Sequence, residues 1–307
     1  MKAAAIQLEA VLADVDANLA ACERLATQAG EAGAEVIALP EFFTTGIGFS
    51  DALVAAALPA DGPATKLLCS LAQRYGALVG GSFMCRDEDG QVRNAYLLAG
   101  PDGVVGRHDK DLPTMWENAF YVGGASSDHG VLRAGEHRIG AAMCWELMRA
   151  QTVSRLRGEV DLVMAGSGWW SIPEWPPRAV MRRWERDNAA TARTAPVSFA
   201  RYVGAPVVHA SHVGTLDCPM PWMPMRYRGH FEGAATITAA DGTVLAERDR
   251  SEGEGFVIAD VELGAQRPSL QPPTGFWLHR RGPMATFAWN YQRLHGRRWY
   301  ARHVAPR

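Results

Sequence analysis

The chain has 307 residues, 48% of them hydrophobic and 21% charged, an ordinary globular composition with material for a large core. Its formal net charge of -2 leaves no excess of Lys and Arg to favour nucleic acid or an anionic membrane as partner. No window approaches the ~20 continuous apolar residues of a membrane span, and the opening MKAAAIQLEAV, broken by Gln7 and Glu9, lacks the form of a signal peptide.

Ala3 to Leu8 reads as a first strand. Val15, Leu19, Cys22 and Leu25 then fall at helical spacing, with Asp14 or Asp16 as N-cap. AEVIALPEFF is a buried strand (Val36, Ile37, Ala38, Leu39) stopped by Pro40. A helix around Ala64 to Tyr75 precedes ALVGGSFMCR, and DEDG opens a return strand, RNAYLLAG. The turn PDG introduces VVGRHDK, followed by RIGAAMCWE, a helical stretch from Thr152 to Leu156 and the strand DLVMAGSGWW. A helix from Arg178 to Thr194 precedes APVVHASHVG, the pair AATITAADGTVLAE with its D-G turn, and GFVIADVEL. Strand–helix alternation mixed with hairpins predicts one α/β domain, with helices packed on mixed sheets.

This domain is expected to span residues 1–264. From Ala265 to Arg307 the chain turns rich in Pro, Arg and aromatics, with little strand or helix regularity. It reads as an extended C-terminal arm that packs on another subunit or back over its own core. The five cysteines (Cys22, Cys69, Cys85, Cys144, Cys218) include no C-x-x-C pair and read as reduced thiols. A cytoplasmic protein without a disulfide frame or zinc site is therefore expected.

Three apolar runs end in a chemically capable residue: Glu41 after VIALP, Lys110 after VVGRHD, and Cys144 after RIGAAM. In an α/β sheet the strand ends open into the crevice where ligands bind. A thiol with a free pKa near ~8.5 needs a base to attack at neutral pH. A carboxylate can take that proton and pass it to a leaving amine. A lysine ammonium can hold the charge of a tetrahedral intermediate, with a backbone N–H after the cysteine completing the hole. Taken singly, such a cysteine is more often a small buried hydrophobe, and a lone Glu or Lys at a strand end is usually a solvated charge.

LPEFF, HDKDLPTMWENAFYVGG and IGAAMCWE, in that order, resemble the three motif regions of the nitrilase superfamily, the carbon–nitrogen hydrolases. The resemblance extends over roughly residues 1 to 262. It implies a four-layer α-β-β-α sandwich, two mixed β-sheets flanked by helices, and homodimers or larger homo-oligomers. It assigns Glu41 as general base, Lys110 as oxyanion partner, Cys144 as nucleophile and Glu117 as a positioning carboxylate, with no metal or cofactor. The implied reaction is hydrolysis of a small-molecule amide through a thioester. A nitrilase is the near alternative, and an acyltransferase or a non-catalytic binding protein on the same fold are others. The run Leu147-Met148-Arg149-Ala150-Gln151 and the stretch around Ser198-Phe199-Ala200 depart from the amidase-type pattern, so the resemblance does not fix the substrate.

Phe42, Trp116, Tyr121, Trp145, Trp169 and Trp170 lie beside these motifs or on the strand after the cysteine, where aromatics would suit an apolar substrate. Core packing is the other reading of each. The N–H of Trp145 is the candidate oxyanion donor. His209 and His212, three apart in a strand, point to opposite faces and so are not expected to share a metal. His129 reads as a surface-loop residue or a substrate contact, and Glu146 as a structural hydrogen-bonding group. Gly80-Gly81 lacks nucleotide-motif spacing and is expected to ease packing.

Overall fold

A computed structural model describes residues 1–306. The first half contains strands β1 (Lys2–Leu8), β2 (Val36–Ala38), β3 (Leu58–Pro59), β4 (Leu78–Arg86), β5 (Val92–Gly100) and β6 (Gly103–Asp109), with helices α1 (Val15–Glu31), α2 (Ala52–Ala55) and α3 (Pro63–Tyr75). The second half carries β7 (Val131–Ala134), β8 (His137–Met143), β9 (Leu162–Ser167), β10 (Val207–His212), the ribbon β11 (Thr215–Pro219) with β12 (Arg226–His230), β13 (Ala235–Thr238), β14 (Val244–Arg248) and β15 (Gly255–Asp260). Its helices are α4 (Ala150–Leu156), α5 (Arg178–Val203) and α6 (Pro283–His303).

Hydrogen bonding orders the strands as β6-β5-β4-β2-β1-β15 on one side and β7-β8-β9-β10-β13-β14 on the other. The two sides join only where β1 and β10 meet, at Gln7–Ser211 and Leu8–His212. The period-2 alternation of strands then builds the layers. From β1, Ala4, Ile6 and Leu8 face α1 and α3, while Ala3 and Ala5 face the opposite sheet. From β9, Leu162 and Met164 face that same inter-sheet core, and Val163 and Ala165 face α5. The result is the expected α-β-β-α sandwich of mixed sheets.

Local signals set the helix ends. Asp14, rather than Asp16, caps α1 by accepting from the Ala17 N–H at 3.1 Å. Pro63 opens α3 at the first helical position, and Gly76 closes it in the left-handed region. Helix α5 continues past the expected Thr194 to Val203, because Ala195, Phe199, Ala200 and Val203 extend its buried face.

The C-terminal segment is more regular than its composition suggested. Helix α6 packs against the short turn Met115–Ala119 of the same chain. Ala288, Gln292, Gly296 and Tyr300 recur every fourth residue on its buried face. With Trp289 beside them, Gln292 and Gly296 interrupt that face, so it carries no continuous apolar stripe for sequence periodicity to reveal. Gly296 lets the helix close in: a Cβ there would lie 2.8 Å from the Asn118 Cβ. Among the described residues no helix is long and apolar enough to cross a membrane.

Candidate active site

Glu41, Lys110 and Cys144 follow β2, β6 and β8 at one end of the sandwich, and Glu117 lies in the turn after Lys110. Each of these side chains is buried. Lys110 Nζ donates to Glu41 Oε1 at 2.7 Å and to Glu117 Oε2 at 2.8 Å. Glu117 Oε2 also accepts from the Thr114 N–H at 2.8 Å and from the Tyr121 hydroxyl. On the other carboxylate, Asn94 Nδ2 donates to Glu41 Oε1 at 2.9 Å and the Gly168 N–H to Oε2 at 3.1 Å. His212 Nε2 pairs with the Glu41 carbonyl at 2.6 Å, pinning its backbone. Gly166 lets β9 approach this turn, since a Cβ there would lie 2.6 Å from the Glu41 nitrogen.

Burial dominates the protonation of the cluster. It pushes the Glu41 carboxyl up to about 7, with Lys110 pulling down and Glu117 pushing further up. It also drives the Cys144 thiol well above its ordinary range, and the nearby Glu41 carboxylate adds to this against the pull of Lys110. Burial opposes the Lys110 ammonium, but Glu117 and Glu41 outweigh it and hold the lysine charged. The resting thiol is thus neutral, beside a carboxyl that titrates near neutral pH.

The backbone is strained at this centre. Phe42, Met115 and Cys144, one in each motif, have φ of 54°, 50° and 48°. A left-handed conformation costs a residue with a side chain roughly 1–2 kcal/mol, and such strain clusters where the surroundings over-determine it. At Cys144 the anchor is Glu146. Its Oε2 accepts from the Met143 N–H at 2.9 Å, and it lies 3.2 Å from His108 Nε2. Arg149, fully buried, donates to the Trp145 carbonyl at 3.1 Å and pairs with Asp111. The departure from the family run therefore puts a buried arginine where it ties the Cys144 turn to the residue after Lys110.

A cavity of about 50 Å³ adjoins Cys144. Trp116, Trp145, Trp169 and Trp170 are among its lining residues. Phe42 and Tyr121 are not part of its lining. The positive φ at Phe42 turns that ring onto Tyr121, with centroids 5.9 Å apart, and the Tyr121 hydroxyl is spent on Glu117. His129 is an exposed loop residue outside the lining. His209 pairs instead with Ser167 at 2.7 Å, on the other face of β10 from His212.

Sequence reasoning did not find Asn94, Asn188 or the contribution of α6. Asn188 accepts from Trp169 Nε1 at 3.0 Å and donates to the Trp170 carbonyl at 3.2 Å, so it orients that wall. A polar residue on the inner face of α5 was the available signal. Met284, Ala285, Ala288 and Gln292 of α6 close the cavity, and Trp289 stacks on Trp145 at 5.5 Å.

A family model described as carbon-nitrogen hydrolase matches residues 2–268. The chain belongs to that family. This carbon–nitrogen hydrolase is 31% identical to an omega-amidase of Yersinia enterocolitica over 87% of this chain and 91% of the relative. It is 24% identical to a cyanide hydratase of Botryotinia fuckeliana, over 85% of this chain and 75% of that one. Among solved structures, its fold matches a CN-hydrolase superfamily protein from Xanthomonas campestris with a TM-score of 0.64 and 22% identity, covering 84% of this chain and 89% of that one. It likewise matches an amidase from Nesterenkonia sp. AN1, with a TM-score of 0.63 and 20% identity over 85% and 92% of the two chains.

Proposed function

We propose that this carbon–nitrogen hydrolase converts a small-molecule amide to an acid and ammonia or an amine, through a thioester on Cys144. One observation carries the reading: Lys110 is hydrogen-bonded to Glu41 and Glu117, all three buried, next to the buried Cys144, which lines a cavity. Glu41 accepts the thiol proton while the sulfur attacks the carbonyl carbon. Lys110 and the Trp145 N–H hold the oxygen as it becomes negative. The C–N bond then breaks as Glu41 returns its proton to the departing nitrogen. In the second half Glu41 takes a proton from water, the hydroxide attacks the thioester, and the C–S bond breaks with the proton going back to sulfur. Glu117 positions Lys110 throughout, and no cofactor enters the cycle. We place the working protein in the cytoplasm as a homo-oligomer.

Hydrolysis of a nitrile is the second reading, favoured by the similarity to a cyanide hydratase and to a bromoxynil-specific nitrilase at 25% identity. The same sulfur would add to the nitrile carbon. Kinetics on one nitrile and its matching amide separate the two, and turnover of the nitrile alone would sink the amidase reading.

A further inference from the structure

We infer that the group carrying the scissile bond is compact and uncharged, and that Gln292 of the C-terminal helix selects it. The inference deepens the hydrolase reading and rests on Cys144 being the attacking atom.

Charge gives the first argument. No charged side chain lines the cavity beside Cys144. The ammonium of Lys110 is already held by Glu41 and Glu117, and Arg183, Arg280 and Arg281 line only the adjoining cleft. A substrate carboxylate in the cavity would lose its hydration with no cation to replace it, and a buried charge without a partner is strongly disfavoured.

Size and polarity give the others. The cavity holds about 50 Å³, whereas a cavity that admits benzene measures roughly 150 Å³. Only a few non-hydrogen atoms fit beyond the reacting carbon. Gln292 and Trp116 line this space at 2% and 1% exposure, and neither Gln292 Oε1 nor Trp116 Nε1 has a hydrogen-bond partner among the described residues. Buried polar atoms are nearly always paired. A hydroxyl can accept from an indole N–H and donate to an amide oxygen, so one such group brought between the two would satisfy both. Gln292 also lies outside the family-matched residues 2–268, so selectivity here is set by a segment that the family resemblance does not reach.

The test is kcat/KM of the full-length enzyme on lactamide, isobutyramide, benzamide and the succinamate anion. Lactamide and isobutyramide share a shape, with a hydroxyl in one where the other has a methyl. We expect lactamide to exceed isobutyramide by about tenfold or more, and succinamate and benzamide to fall about a hundredfold or more below it. In Gln292→Leu the lactamide-to-isobutyramide ratio should shrink about tenfold. Succinamate or benzamide turned over as well as lactamide would overturn the inference, as would an unchanged ratio in the variant. The wild-type panel decides the matter even if the variant fails to fold. Intact mass spectrometry of the same reactions keeps the two readings apart. Acyl adducts on Cys144 from succinamate or benzamide sink the selectivity alone, whereas no adduct from any amide or matching nitrile sinks the hydrolase reading beneath it.

Discussion

Lys110 Nζ lies 2.7 Å from Glu41 Oε1, and both side chains are fully buried. The ammonium thus faces the proposed base and, 2.8 Å away, Glu117. Its charge is committed before substrate arrives and needs no reorganisation as the oxyanion forms, which is where such groups act most strongly. Lys110→Met should lower kcat by roughly 10²–10³-fold with a much smaller change in KM. Steady-state kinetics would show it. Lys110→Arg should not restore activity, because the planar guanidinium cannot fill the position of a compact ammonium between two carboxylates.

Cys144 carries strain and a buried thiol beside two carboxylates, so it is costly to the fold as well as central to the proposed chemistry. Residues of that kind trade stability for function. Cys144→Ala should abolish turnover and the acyl adduct while leaving the melting temperature unchanged or raised. A melting temperature several degrees lower would show that the thiol supports the fold and would contradict the trade. Residual turnover would remove the sulfur from the mechanism.

The pH dependence follows from Glu41. Burial holds its carboxyl at about 7, and the ionised form is the one that can take a proton from Cys144. kcat/KM should therefore fall as pH drops through about 7, approaching tenfold per unit below it. Because Glu41 and Cys144 share a proton, the measured value belongs to the pair. Asn94→Leu removes the amide that donates to Glu41 Oε1. Losing that hydrogen bond to the charged form should move the acid limb to higher pH. An acid limb that stays in place would show that Asn94 does not tune the base.

How far this site was legible in the sequence depends on how each residue is placed. Glu41, Lys110 and Cys144 each end an apolar run, which marked them as candidates, and the resemblance of their three motifs assigned their roles. Asn94 was hidden inside RNAYLLAG, an unremarkable buried strand until β5 pairs with β4 and brings it to Glu41. Phe42 misled for a backbone reason: adjacency to Glu41 implied a pocket position, but its left-handed turn sends the ring the other way. Helix α6 escaped because Gln292 and Gly296 break up a buried face otherwise made of Ala288, Trp289 and Tyr300, so no continuous hydrophobic period marks it. Strand–helix alternation pointed to one α/β domain of mixed sheets and the family resemblance implied its four layers, while the α6 side of the cavity had no such signal.

Glu146 offers the sharpest separation of support from chemistry. It follows the cysteine by two positions, yet its oxygens face Met143 N–H and His108 rather than the cavity. Burial alone would raise its pKa, but the His108 charge and hydrogen bond outweigh that and hold Glu146 well below the ordinary range. His108, against which burial also works, is pushed up to about 10 by Glu146 and Asp128. A histidine whose folded pKa is raised contributes stability that is complete below its unfolded value near ~6.5 and is lost as pH rises through the folded one. The enzyme should therefore lose stability between about 6.5 and 10, at up to about 1.4 kcal/mol per pH unit from this group. His108→Gln should be less stable at pH 6, because it removes one of the cations facing buried Glu146 while Arg149 and Arg155 remain at 3.6 and 3.8 Å, by roughly 1.5–3 kcal/mol. Its stability should then vary less across that alkaline window than the wild type's. Denaturant melts at pH 6, 8 and 9.5 would measure both effects. Parallel pH curves for the two proteins would show that the His108–Glu146 pair is not what couples the Cys144 turn to pH.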